Sequence, residues 1–196
     1  MTGASAIDVE RLSAYLAILE RWQRRINLVG AGTLADPWRR HFLDSAQLAP
    51  LLPSDGPRLI DLGSGAGFPG LVLAILTPAR VRLVESDARK CAFLFEAARA
   101  TSAPVEIVNA RIESLAPASY QIVVARALAP LRKLLEHASK LLAPDGACLF
   151  LQGRTWRAEL TRAAETWKMR ATPIPSRSDP TGVVLRIDDL SHGDDR

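Results

Sequence analysis

The sequence predicts an α/β fold: a seven-stranded, mostly parallel sheet ending in an antiparallel hairpin, with helices on both faces and an N-terminal helical extension. Three observations predict it. From residue 58 onward, short and continuously apolar runs alternate with stretches of helical period, as expected of parallel strands buried on both faces. Between the first run and the next helical stretch lies Asp61-Leu62-Gly63-Ser64-Gly65-Ala66-Gly67-Phe68-Pro69-Gly70, a glycine turn of the kind that opens a nucleotide-binding βα unit. Near the end, two strand-like runs flank a turn rich in Ser, Pro and Gly with no helix between them.

The elements follow in order. Val9, Leu12, Leu16, Leu19, Trp22 and Ile26 recur at three- and four-residue steps and predict a helix over 6–27, with Ser5 and Asp8 as its capping box. Asp36-Pro37 starts a second helix, acid at the N-cap and proline at the first turn, running to about residue 49. A proline-rich linker over 50–57 leads into the sheet. Strands are predicted over 58–61, 81–85, 105–109, 121–125, 147–152, 168–173 and 183–187, with helices over 69–77, 88–100, 131–142 and 157–166. The organisation expected is a helical cap over 1–52 packed on a core domain over 53–190. A disordered tail over 191–196 follows, with fraying from Asp188.

Composition bounds the function. The chain has 196 residues, 48% apolar and 23% charged, which excludes the disordered and fibrous classes and suits one domain plus an extension. Cys91 and Cys148, the only cysteines, both fall in predicted regular elements and read as core thiols of a reducing compartment. No His, Cys, Asp or Glu cluster has metal-ligand spacing, so no metal is expected. The sequence has no basic-then-apolar leader and no apolar run near the roughly 18 residues of a membrane span, so a cytoplasmic protein is expected. A net charge of +4 permits a polyanionic partner without requiring one.

Gly65-x-Gly67-x-x-Gly70 satisfies the dinucleotide pattern literally, so a nicotinamide or flavin enzyme is one reading. Two features favour another. Asp61 ends its strand just before the glycines, where an acid repels a pyrophosphate but attracts a cationic ligand through ordered water. Glu85 ends the second strand, 22 residues after Gly63, and can accept both ribose hydroxyls of an adenosine. Asp61, the glycines Gly63, Gly65 and Gly67, and Glu85 together resemble the Rossmann-like class I S-adenosylmethionine-dependent methyltransferases, in which an antiparallel hairpin closes the sheet. Arg126 directly follows the fourth apolar run and is the candidate catalytic residue. Its guanidinium can hold a carboxylate or phosphate in the cleft, or pair with an acid such as Glu113.

No cysteine stands at a strand end, which argues against methylation of pyrimidine C5. The fourth strand is followed by Ala125-Arg126-Ala127-Leu128-Ala129-Pro130 and not by the Asn/Asp-Pro-Pro-aromatic loop of adenine amino-methyltransferases. A site with no evident general base suits an acceptor that already holds a free lone pair, such as guanine N7. A small-molecule methyltransferase and a non-catalytic RNA-binding module remain open.

Arg40-His41-Phe42-Leu43-Asp44-Ser45, the 61–70 turn and Ala125-Arg126-Ala127 occur in that order. With them, residues 21 to 187 resemble the glucose-inhibited division protein B family, also called ribosomal RNA small subunit methyltransferase G. The resemblance implies methylation of a guanine N7 in 16S ribosomal RNA with S-adenosylmethionine as donor; a monomer is expected. By motif position it assigns Gly63, Phe68, Ile112, Glu113 and Arg126 to the cofactor and Glu85 to its ribose. Phe68 then lines the adenosine or methionine channel, and Ile112–Glu113 meet the adenine edge. One departure stands out: where the family usually carries Lys-Gly after the fifth strand, this chain has Gln152-Gly153, with Arg154 next as a replacement cation. His41 and Asp44, three apart on one helical face, are expected to pack against the glycine turn. Arg21, Arg24, Arg25, Arg39, Arg154, Arg157 and Lys168, with Trp22, Trp38 and Trp156, are candidates for a basic, stacking rim that meets RNA. Trp22 also falls on the apolar helix stripe and reads equally as core.

Overall fold

The alternation of apolar runs and helical stretches folds as the pattern dictates. In the computed structural model, which describes residues 4–193, seven strands form one sheet in the order β3-β2-β1-β4-β5-β7-β6. They are β1 (Arg58–Leu62), β2 (Arg80–Glu85), β3 (Val105–Asn109), β4 (Tyr120–Arg126), β5 (Leu142–Gln152), β6 (Trp167–Pro175) and β7 (Val183–His192). The first five pair in parallel, and β7 runs antiparallel to both β5 and β6. The helices are α1 (Ala6–Gln23), α2 (Asp44–Ala46), α3 (Gly70–Leu76), α4 (Ala88–Thr101), α5 (Leu131–Ser139) and α6 (Trp156–Ala164).

Strand periodicity divides the interior into two cores. Leu59, Leu83, Val124 and Leu149 face a cluster that contains Leu12, Tyr15 and Leu19 of α1, Leu71 and Val72 of α3, and Phe93 and Leu94 of α4. Ile60, Leu62, Val123, Ala125 and Phe150 face the other, filled by Leu131, Leu134 and Leu135 of α5 and Ala163 of α6. The N-terminal segment therefore shares one core with the sheet through Leu12, Tyr15, Leu19, Phe42 and Leu48.

Several elements differ from the sequence expectation: α5 ends at Ser139 and β5 begins at Leu142, inside the expected helix over 131–142. Helix α1 keeps its Ser5–Asp8 capping box but stops at Gln23. The Gln23 side chain accepts from the backbone N–H groups of Leu28 (2.9 Å) and Val29 (3.0 Å) and donates to the Val29 carbonyl (2.8 Å), satisfying the turn that follows. The expected second helix is a 3₁₀ turn (Ala31–Ala35), a π-helix (Trp38–Leu43) running into α2, and another 3₁₀ turn (Ala49–Leu51). Single π turns cluster at functional sites, and this one carries Arg40 and His41. At the other end β7 runs on to His192, paired with Trp167, past the point where fraying was expected. Arg186 there grips the Asp188 carboxylate at 2.8 Å. Residues 194–196, the rest of the expected tail, lie outside the described residues.

Arg11 ties α1 to the neighbouring helices α3 and α4. Its Nε donates to the Thr101 carbonyl (2.6 Å), Nη2 to that of Ser102 (3.0 Å) and Nη1 to that of Ile75 (3.4 Å), so one guanidinium satisfies the open carbonyls at the C-terminal ends of α3 and α4. Arg11→Ala is expected to lower stability by about 1 to 3 kcal/mol, read as a drop in thermal midpoint of about 2 to 4 °C per kcal/mol. An unchanged midpoint would show that α1 is held by its apolar face alone.

Candidate active site

The crossovers diverge between β1 and β4, and in an open α/β sheet the ligand crevice lies at the carboxyl edge of that switch point. A cavity of about 700 Å³ opens there, across the ends of β1, β2, β4 and β5. Of the residues singled out from sequence, Gly63, Gly65, Phe68, Glu85, Ile112, Glu113 and Arg126 line it, and Asp61 and Gly67 do not.

Those two build the wall from behind. Asp61 is fully buried, and its Oδ2 accepts the Gly70 N–H at 2.8 Å, closing the turn onto the start of α3. A Cβ on Gly70 would stand 2.7 Å from that same oxygen, so the close approach needs glycine. Asp61 Oδ1 has no partner among the described residues. Burial pushes the carboxyl up to about 7, against the opposing pull of the Gly70 N–H. Gly67 has φ of +84°, and a Cβ there would meet the Tyr15 hydroxyl at 2.6 Å. That hydroxyl donates to the Ala66 carbonyl, so α1 braces the turn directly.

Glu85 is buried at the end of β2 with both oxygens facing backbone donors: Oε2 accepts from Gly65 (2.9 Å) and Oε1 from Asp87 (2.7 Å). Each carboxylate oxygen retains a further lone pair, which suits a pair of vicinal hydroxyls. Gly63, at φ of +65°, presents bare backbone to the cavity where a Cβ would collide with Leu128.

Arg126 enters from the end of β4 on the opposite side. It does not pair with Glu113, which stands 3.7 Å from His137. Its carboxylate partner is Asp44 at 3.6 Å, and Nη1 donates to His41 Nδ1 (3.0 Å) and to the Arg40 carbonyl (3.3 Å). The guanidinium lies 4.9 Å over the Phe68 ring. Burial lowers the Arg126 pKa, and Asp44 opposes that shift. His41 stacks on Phe68 with ring centres 5.0 Å apart, and Tyr15 stacks on it at 5.1 Å. Burial, then Arg126 and Arg40, drop the His41 pKa to about 4, so the imidazole is neutral at physiological pH.

The β6–β7 turn completes this end. Ser178 donates to Asp44, the Arg39 Nε donates to the Ser178 carbonyl (2.9 Å), and Arg40 pairs with Asp179 at 3.3 Å. Ser178, Asp179, Thr33 and Lys90 also line the cavity, and sequence reasoning did not single them out. For Lys90 a signal existed: it is the third residue of the helix that follows Glu85. Arg40, Lys90 and Arg111 line the cavity, and the seven predicted cations do not; Arg21 is taken up by Glu96. Trp22 packs against the core and donates to Glu96 (2.7 Å). Gln152 lines the cavity while Arg154 does not, so the cation is not replaced there. Among the described residues no group of three or more His, Cys, Asp or Glu could hold a metal, and no helix is long and apolar enough to cross a membrane.

The family model described as rRNA small subunit methyltransferase G matches residues 8–177. Curated relatives named ribosomal RNA small subunit methyltransferase G include one from Paramagnetospirillum magneticum, 53% identical over 98% of this chain and 94% of its own. Another, from Rhodospirillum rubrum, is 56% identical over 93% of this chain and 90% of its own. Among solved structures, a methyltransferase from Pyrococcus furiosus superposes with a TM-score of 0.63 at 13% identity, covering 92% of this chain and 98% of that one. M. jannaschii TYW2, solved in complex with AdoMet, gives 0.59 at 14% identity over 85% and 78%.

The buried Asp61 carboxyl has a thermodynamic signature. Its folded pKa of about 7 lies above the ordinary 3.8, so between those values the folded state holds a proton that the unfolded chain has released. Its contribution to stability is therefore present at low pH and lost as pH rises through about 7. Asp61→Asn keeps an acceptor for Gly70 and removes the titration. Thermal melts from pH 5 to 8 are expected to show the wild type losing stability relative to the variant; parallel pH curves would contradict the assignment.

Proposed function

The chain belongs to the rRNA small subunit methyltransferase G family, and from that premise we propose how the cavity at the carboxyl edge performs its reaction. The chain is a 16S ribosomal RNA methyltransferase acting on N7 of a guanine. The donor in this reading is S-adenosylmethionine, and three features support it. Glu85 has two free lone pairs for the ribose hydroxyls. Gly63 offers bare backbone where a Cβ would collide with Leu128. Arg126 carries a positive charge at the opposite end for the methionine carboxylate. Ile112 and Glu113 close the adenine end, and Phe68 lines the cavity under the Arg126 guanidinium. When bound, S-adenosylmethionine supplies a methyl on a sulfonium, an electrophile that a lone pair attacks in line.

The lining residues decide which acceptor fits. A proton-abstracting base would need a free acceptor at neutral pH. Both His41 nitrogens are engaged, at 2.7 Å with Thr33 and 3.0 Å with Arg126. Asp44 is bound by Arg126 and Ser178 and Asp179 by Arg40, while in this reading the remaining lone pairs of Glu85 go to the ribose and Glu113 stands at the adenine end. Guanine N7 brings its own lone pair, so the chain's task reduces to orienting donor and acceptor and excluding water. The observation that carries the reading is the Glu85–Arg126 pair set across one cavity on a chain of this family. The ribosomal substrate is consistent with a cytoplasmic setting.

Small ribosomal subunits lacking base methylation, incubated with this protein and methyl-labelled S-adenosylmethionine, are expected to acquire label in 16S RNA as 7-methylguanine. Label recovered on another base atom, or none from subunits and assembly intermediates alike, would overturn the assignment. Glu85→Ala is expected to weaken S-adenosylhomocysteine binding by about tenfold or more, the loss of hydrogen bonds to a charged group. Calorimetric titration reads it directly.

A further inference from the structure

A guanidinium on a strand end orients a ligand only if its own orientation is fixed, and it has five donors and no acceptor with which to fix itself. Among the described residues the hydrogen bonds and ion pair of Arg126 run through Nη1, which leaves Nη2 and Nε available in the cavity that the residue lines. Of the Nη1 partners, the Arg40 carbonyl is at 3.3 Å and Asp44 at 3.6 Å, while His41 Nδ1 is the nearest at 3.0 Å. A protonated imidazole beside a guanidinium would repel it, so Nδ1 serves as an acceptor only in the neutral tautomer that carries its proton on Nε2. The surroundings select that tautomer. Nε2 lies 2.7 Å from Thr33 Oγ1, and the Thr33 hydroxyl spends its own proton on the Gly30 carbonyl at 2.6 Å. With that proton committed, the only role left to Thr33 Oγ1 toward the ring is acceptor, so Nε2 must be the donor and Nδ1 the bare nitrogen. The chain Arg126→His41→Thr33→Gly30 thus has one donor direction throughout.

We propose that His41 is a positioning residue for the methyl transfer: its Nδ1, held unprotonated by the Thr33–Gly30 relay, fixes the Arg126 guanidinium in the orientation that receives the methionine carboxylate. The proposal rests on the reading of Arg126 as the carboxylate anchor. The relay also reaches the cavity wall at Gly30 and Thr33, so the N-terminal segment takes part in setting the methionine end.

His41→Phe keeps a ring to stack on Phe68 and removes the acceptor; His41→Asn loses the ring and keeps an acceptor near the position of Nδ1. S-adenosylhomocysteine binding to the full-length protein, measured by calorimetry beside a thermal melt of each variant, separates the two functions. His41→Phe is expected to raise the dissociation constant about tenfold, with His41→Asn recovering most of the loss. In an Arg126→Ala background His41→Phe is expected to have no further effect. Wild-type affinity in His41→Phe, equal damage from both His41 variants, or additivity with Arg126→Ala would each overturn the positioning role while leaving Arg126 as the anchor. Wild-type affinity in Arg126→Ala would overturn the anchor itself, and this proposal with it. If His41→Phe does not fold, His41→Gln, whose amide oxygen is displaced from the Nδ1 position, takes its place with the same expected loss.

Discussion

The hydrogen bond from the Gly70 N–H to the buried Asp61 carboxylate fixes the geometry on which the rest of the site depends. It joins the end of β1 to the first residue of α3, so that the intervening glycines must turn back over the strand end. The constraint is costly in isolation, because it places a carboxyl in the interior with one oxygen unpartnered. Its return is a turn whose backbone faces the cavity at Gly63 and Gly65, with the Gly65 N–H left to meet Glu85. Tyr15 supports the same turn from below, and Phe68 leaves it to be clasped by Tyr15 and His41. The first core, the N-terminal helix and the site floor are thus one packed unit.

Electrostatics then separates the two ends of the cavity. Glu85 stands at the end of β2 and Arg126 at the end of β4, on the two strands that flank β1. Each is oriented by its own partners, Glu85 by backbone N–H groups and Arg126 by His41, Arg40 and Asp44. Such preorganisation is what a transfer without proton abstraction requires: the free energy goes into alignment, and no side chain is asked to change protonation state. The π-helix at Trp38–Leu43 and the β6–β7 turn serve the Arg126 end, one supplying acceptors and the other locking Asp44 through Ser178.

Most of the fold was legible because the signals are local. Strand β1 and the glycine turn declare themselves through period and residue type, and the closing hairpin through an interrupted alternation. The site was legible where a strand end fixes the residue: Gly63, Glu85 and Arg126 follow directly from where their apolar runs stop. What was not legible depends on contacts distant in sequence. Asp44 and not Glu113 pairs with Arg126 because the 38–46 segment folds back over the β4 end, a proximity that no spacing encodes. Gly67 looks like its neighbours in the motif, yet the space beside it is filled by Tyr15, far upstream in the chain, and not by the cavity. The winding of 38–43 as a π-helix is invisible to a period argument, since the same apolar positions suit an α-helix. Among the cations proposed for the rim, Arg21 is taken by Glu96, a pairing that counting charges along the chain does not reveal.

The account turns on one arrangement, a ribose at Glu85 and a carboxylate at Arg126 within a single cavity. A crystal structure of this protein with S-adenosylhomocysteine tests it most directly. The predicted result has both ribose hydroxyls on the Glu85 carboxylate, the adenine against Ile112 and Glu113, and the amino-acid carboxylate on the free side of an Arg126 guanidinium still bonded to His41. A ligand turned end for end, or one whose carboxylate is held elsewhere while Arg126 faces away, would contradict it.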